Sequence, residues 1–195
     1  ANYRSTTLRD EPNTRLRAST IDNQLQVVAV NGRPTTEPDL VGRFTIDPVH
    51  GILEHGEADL LYRNLGNGRF EPVDWTGGTF LDDAGRPAEV PFDWTLSAMF
   101  RDFNQDGAPD LFVCSDFQSE DRLWLNDGQG RFRRSPGMAL RHMSLFTMGI
   151  DVADVDRDGH ADFFAADMLS RQHELRMVQL GYFHPFNRSA GPIAS

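Results

Sequence analysis

Two short acidic stretches hold the residues best suited to chemistry. Asp102, Asn104, Asp106 and Asp110 recur in pattern as Asp154, Asp156, Asp158 and Asp162, with Gly107 and Gly159 following the third ligand of each set. Oxygen donors at alternate positions point the same way along an extended turn, and the glycine allows the chain to reverse sharply, which is the arrangement a hard divalent cation needs. The carbonyls of Ala108 and His160, two residues beyond Asp106 and Asp158, complete two all-oxygen sets. With no thiolate or imidazole in the pattern, the sets favour Ca²⁺ over Zn²⁺, so two Ca²⁺ ions are expected. An EF-hand would require a bidentate Glu as the twelfth loop residue, where this chain has Val113 and Ala165. The competing reading is an acidic turn in which Asp caps its own backbone. Recurrence of the pattern favours the cation.

The remaining constellations are weaker. The single cysteine, Cys114, lies in the apolar run Leu111 to Cys114 and reads as a small core residue. His50 and His55 are five apart, and His173-Glu174 lacks a second histidine at the zinc-protease spacing, so the six histidines read as surface or satisfied polar groups. No nucleophile elbow, phosphate loop or dinucleotide fingerprint occurs. Asp82-Asp83 and Asp116 could pair as acid and base, but solvated turns are the expected reading. Asn187-Arg188-Ser189 is a glycosylation sequon, a pattern met often by chance. Phe70, Phe132, Trp75, Trp94 and Trp124 are expected to pack between sheets rather than to stack sugars.

Such loops need strands to hold them, and the sequence repeats those strands. Leu61 to Phe70 (LYRNLGNGRF) and Leu123 to Phe132 (LWLNDGQGRF) share Leu, Asn, two Gly, Arg and Phe at an offset of 62 residues. A strand ending in Asn, then Gly-x-Gly, then Arg-Phe, predicts a β-hairpin. The two acidic loops recur at an offset of 52, each followed by an apolar run, Leu111 to Cys114 and Phe163 to Ala166. Offsets of this size are the period of a propeller blade. Aligning Val27 to Val30 with Leu111 to Cys114 places Ala18, Thr20, Asp22 and Gln26 at the loop positions, which reads as a blade whose acidic loop has degenerated. The expected organisation is an N-terminal extension (1–17), a blade with the degenerate loop (18–76), a Gly- and Pro-rich connection (77–95), a blade with the first calcium loop (96–136), and a blade with the second (137–195). Leu175, Val178 and Tyr182 suggest a short inserted helix over Ser170 to Tyr182.

The acidic loops with their following strands resemble FG-GAP repeats, also called VCBS-like repeats, of integrin-α-type β-propellers; DGAPDLFV, Asp106 to Val113, carries the Gly-Ala-Pro of the name. LYRNLGNGRF, MGIDVADVDRDGHADFFAADM and VVAVNGR are similar to bacterial repeat proteins that carry an ASPIC/UnbV domain. The resemblance implies an all-β fold, about three blades of a seven-bladed or similar propeller, stabilised by Ca²⁺. It also implies adhesion, protein interaction or a structural role at an extracellular, cell-surface or periplasmic location.

Charge narrows the partners. With 19 basic and 29 acidic residues, the formal net charge of −10 argues against nucleic acid, whose phosphates require a basic face. No stretch approaches the roughly 18 apolar residues of a membrane span. The first residues, ANYRSTTLRD, do not read as a signal peptide. A protein partner, or the remaining blades of a longer chain, is therefore expected, with a glycan as a further possibility. A non-catalytic interaction module is favoured over the accessory propeller of a carbohydrate-active enzyme, because the chain offers no poised acid or nucleophile.

Overall fold

The structure is a computed structural model. It describes residues 4, 6–8, 10–48, 51–116, 119–136, 146–168, 170–172 and 174–175. His50, the expected helix beyond residue 175 and the Asn187 sequon lie outside the described residues, as does His173. The fold is all-β, in two compact units divided between Glu57 and Ala58.

The N-terminal unit holds five short strands: β1 (Leu16–Ile21), β2 (Gln24–Val30), β3 (Arg33–Pro34), β4 (Phe44–Asp47) and β5 (Gly51–Glu54). β1, β2 and β3 form an antiparallel sheet, and β4 pairs with β5. Asp22 and Asn23 both have positive φ, 50° and 61°, giving the turn whose twist matches that of the strands it joins. This corrects one expectation. Ala18, Thr20 and Gln26 are paired strand residues around that turn, with Ala18 opposite Val27 and Thr20 opposite Leu25, so no acidic loop precedes β2. Strand pairing also begins at Leu16, inside the segment expected as an extension. Val27, Val30, Leu40 and Phe44 form the unit's core, with Leu8, Leu16, Ile46 and Ile52 packed against it. An Arg43–Glu54 pair at 2.8 Å ties down the chain before β1: Arg43 donates to the Thr6 carbonyl, and Glu54 accepts from the Leu8 N–H.

The second unit begins with a hairpin, β6 (Tyr62–Gly66) and β7 (Arg69–Pro72), followed by a π-helical turn over Trp75–Thr79. Then come β8 (Phe80–Leu81), β9 (Thr95–Arg101), β10 (Asp110–Ser115), β11 (Arg122–Asn126), β12 (Phe132–Arg134), β13 (Thr147–Ala153) and β14 (Asp162–Asp167). The main sheet runs β8-β12-β11-β10-β9, antiparallel except for the parallel β8–β12 pair. Both expected hairpins form, β6–β7 and β11–β12. The stretch 77–95 is more than a connection, since it supplies the edge strand β8 and three buried core residues, Phe80, Ala88 and Trp94.

Trp75, Phe80, Ala88, Leu111, Val113, Trp124 and Phe132 make one core. Phe80, fully buried, sits 3.9 Å from Trp75 and 5.3 Å from Phe132 between ring centroids, and meets Trp124 edge-on at 5.2 Å. Every residue of β10 is buried, because its even and odd side chains face different neighbours. Leu111 and Val113 enter this core, while Phe112 packs with Phe103 and Phe163. Cys114 is buried, as expected of a small core residue, and burial pushes its thiol pKa up. Phe70 departs from the expected packing: it lies on a two-stranded ribbon and is exposed.

Candidate metal centre

The two acidic loops join β9 to β10 and β13 to β14, and they fold alike. In the first loop Gln105 and Gly107 have φ of 62° and 89°; in the second, Arg157 and Gly159 have 65° and 88°. Positive φ at the fourth and sixth residues turns successive N–H groups inward, where the acidic side chains collect them. Asp102 accepts from the N–H groups of Asp106 (3.1 Å) and Gly107 (2.8 Å), as Asp154 does from Asp158 (3.0 Å) and Gly159 (3.1 Å). Asn104 and Asp156 accept from the same Asp106 and Asp158 N–H groups. Asp106 and Asp158 accept from the N–H groups of Ala108 (2.9 Å) and His160 (2.8 Å). The last acid of each loop folds back, Asp110 accepting from Phe103 and Asp162 from Val155, both at 2.9 Å.

The loops also touch. Gln105 Nε2 donates to the Gly159 carbonyl at 2.7 Å, and the Phe103 and Phe163 rings stack with centroids 4.9 Å apart.

The second loop brings its carboxylates together. Oxygens of Asp154, Asp156 and Asp162 lie within 4.8 Å of one another, all on exposed residues. Ca²⁺ is held at 2.3–2.6 Å, so ligands on opposite sides of one ion stand about 5 Å apart, and the three carboxylates fit a single ion. Asp158 is not part of that group. In the first loop the Asn104 amide donates to Asp106 at 2.8 Å, joining two of the expected ligands to each other. Asp110, fully buried, has its second oxygen bonded to the Asn126 N–H at 2.8 Å.

Asn126 is a residue the acidic pattern did not single out. From the end of β11 it donates its backbone N–H to Asp110 and its side-chain amide to the Pro109 carbonyl at 3.0 Å, locking the hairpin to the loop. Its signal was present in the repeated Asn-x-Gly-x-Gly of the two hairpins. Asp116 was expected in a solvated turn, yet it is 1% exposed, its N–H donating to the Trp94 carbonyl. Burial there follows from the packing of the Trp94 segment over the end of β10, which no local pattern displays. Asp121, also buried, accepts from the Ser115 N–H at 2.8 Å and the Thr147 hydroxyl at 2.7 Å, tying β10 to β13. Burial pushes its carboxyl pKa up, with both hydrogen bonds opposing. Asp93 pairs with Arg122 at 2.5 Å beside it. Asp82 caps its own turn, accepting from the backbone and side chain of Arg86.

Residues 102–165, about a third of the chain, match the model of the FG-GAP-like repeat. The match contains both acidic loops and the β11–β12 hairpin. No curated protein and no solved structure matches the chain. Among the described residues, no helix is long and apolar enough to cross a membrane.

Proposed function

We propose that this chain, whose residues 102–165 form an FG-GAP-like repeat, is a non-catalytic, Ca²⁺-stabilised β-propeller segment that serves as a protein-interaction or structural module outside the cytoplasm. FG-GAP-like repeats are propeller blades and typically non-catalytic, which supports the coarse reading. The observation that carries the finer one is the near-identical geometry of the two acidic loops, ending in three convergent carboxylates of the second. A bound cation would supply charge neutralisation there. The residues do the rest: Asp154, Asp156 and Asp162 would hold it in the second loop, and Asp102, Asn104, Asp106 and Asp110 in the first, with the Ala108 and His160 carbonyls as further oxygen donors. A sugar-stacking role finds no support in the tryptophans, since Trp75, Trp94 and Trp124 are all buried.

The test is metal analysis of protein purified without chelator, followed by calorimetric melting with and without EGTA. Two bound Ca²⁺ are expected. At about 100 times its dissociation constant, each ion adds about 2.7 kcal/mol of stability. No bound Ca²⁺ together with an unchanged melting temperature would overturn the proposal.

A further inference from the structure

Asn-Gly occurs twice in the chain, as Asn31-Gly32 and Asn67-Gly68, and an arginine follows each time. Each pair forms the two-residue turn of a hairpin, between Val30 and Arg33 in β2–β3 and between Gly66 and Arg69 in β6–β7. The backbones agree: φ is 51° and 83° across the first pair and 52° and 71° across the second, the mirror-image turn that Asn-Gly favours. Both asparagines are exposed, and the space beside both glycines is open. What differs is how each asparagine is held.

Asn31 is held at two points. Its N–H donates to the Arg15 carbonyl at 2.8 Å, and its Oδ1 accepts from the Arg15 N–H at 2.8 Å. Its carboxamide is thereby fastened to the chain entering β1. Asn67 lacks such a tie: among the described residues its side chain makes no hydrogen bond, and the Gly66 N–H beside it is taken by Asn64 Oδ1 at 2.8 Å. The Gly68 nitrogen stands outside the ladder, whose last pair is Gly66 with Arg69, and its residue has no side chain to shield it.

We infer that Asn67 is a site of spontaneous deamidation in the folded protein, and that the bonds to Arg15 protect Asn31 from the same reaction. The Gly68 backbone nitrogen attacks Asn67 Cγ and gives up its proton to solvent base. The new N–Cγ bond closes a succinimide ring as the Cγ–Nδ2 bond breaks, and Nδ2 takes a proton from water and leaves as ammonia. Water then opens the ring. Opening at Cγ gives aspartate, whereas opening at the Asn67 main-chain carbonyl gives isoaspartate, in which the backbone runs through the former side chain. Either product adds one negative charge, and isoaspartate also lengthens the turn between Gly66 and Arg69 by one carbon. Ring closure swings Cγ onto the following nitrogen, a motion that at Asn31 breaks the hold of Arg15. Two hydrogen bonds of ordinary net strength slow Asn31 on the order of tenfold relative to Asn67. The inference depends on neither the blade reading nor Ca²⁺.

Folded protein and protein in concentrated urea are incubated side by side at mildly alkaline pH, then digested and mapped by mass spectrometry, with electron-transfer fragmentation to separate aspartate from isoaspartate. In the folded protein Asn67 is expected to convert to both products on the order of tenfold faster than Asn31. In urea the two rates are expected to converge, because the turn and the Arg15 bonds are gone and both asparagines precede Gly-Arg. Hydrogen exchange tests the protecting contact separately: the Arg15 N–H should be protected and the Gly68 N–H should exchange freely. Equal rates at the two sites in the folded protein, faster conversion of Asn31, a ratio that persists in urea, or an Arg15 N–H that exchanges as freely as that of Gly68 overturns the inference.

Discussion

Asn104 is the position at which the two acidic loops differ in ligand charge, since Asp156 takes its place in the second. Its amide donates to Asp106, whereas the Asp156 carboxylate converges with those of Asp154 and Asp162. Ligand charge is one of the quantities that sets Ca²⁺ affinity. Asn104→Asp should therefore tighten the first site, and Asp156→Asn should weaken the second, each by on the order of tenfold, as read by calorimetric titration. A second residue-scale outcome concerns Asp121, whose carboxyl is held above its ordinary value by burial. A group with a raised folded pKa binds more protons folded than unfolded, so its contribution falls as pH rises from about 3.9, the usual unfolded value, through the folded one. Asp127 works in the opposite sense, because N–H groups of Gln129 and Arg131 hold its pKa down. Urea melts of the parent and Asp121→Asn over that window isolate the buried group: the stability of the parent minus that of the variant should decline with pH. The loop acids were legible in the sequence because their alternation is local. Burial of Asp116 and Asp121 was not, since it depends on Trp94 and Thr147, distant in the chain.

At the scale of elements, the hairpins and loops follow from residues that tolerate positive φ, such as Asn67 with Gly66 and Gly68 in the first hairpin. That is why β6–β7 and β11–β12 could be read from sequence. β8 could not: it has two residues and joins the sheet through a parallel pairing with β12, about fifty positions away. The β1–β2 turn was misread because the apolar run Val27 to Val30 dominated the alignment, although Asp22-Asn23 carried a sound turn signal. Phe80 shows what the unread element contributes, as it is fully buried among Trp75, Trp124 and Phe132. Phe80→Ala should cost about 3–5 kcal/mol in chemical denaturation, through lost transfer energy and a cavity. Phe70→Ala, at an exposed position on β7, should stay within about 0.5 kcal/mol. Comparable losses at the two sites would mean that Phe70 is covered in solution.

The whole chain carries a formal charge of −10, and carboxylates crowd the loops of the second unit, so removing divalent cations should be felt there first. The chain's division into two units was not foreseen, because the repeat period ran a single blade from residue 18 to residue 76, across the boundary at Glu57. The three tryptophans give that boundary an optical meaning. Trp75, Trp94 and Trp124 all lie in the unit from Ala58 to Met168, and each is buried. Indole emission during unfolding therefore reports on that unit alone, whereas the amide signal in the far ultraviolet sums over both. A chelator should shift the emission transition to lower temperature. Should the units unfold separately, the amide curve will keep a second step to which the indoles are blind, and the N-terminal strands will have been observed by subtraction.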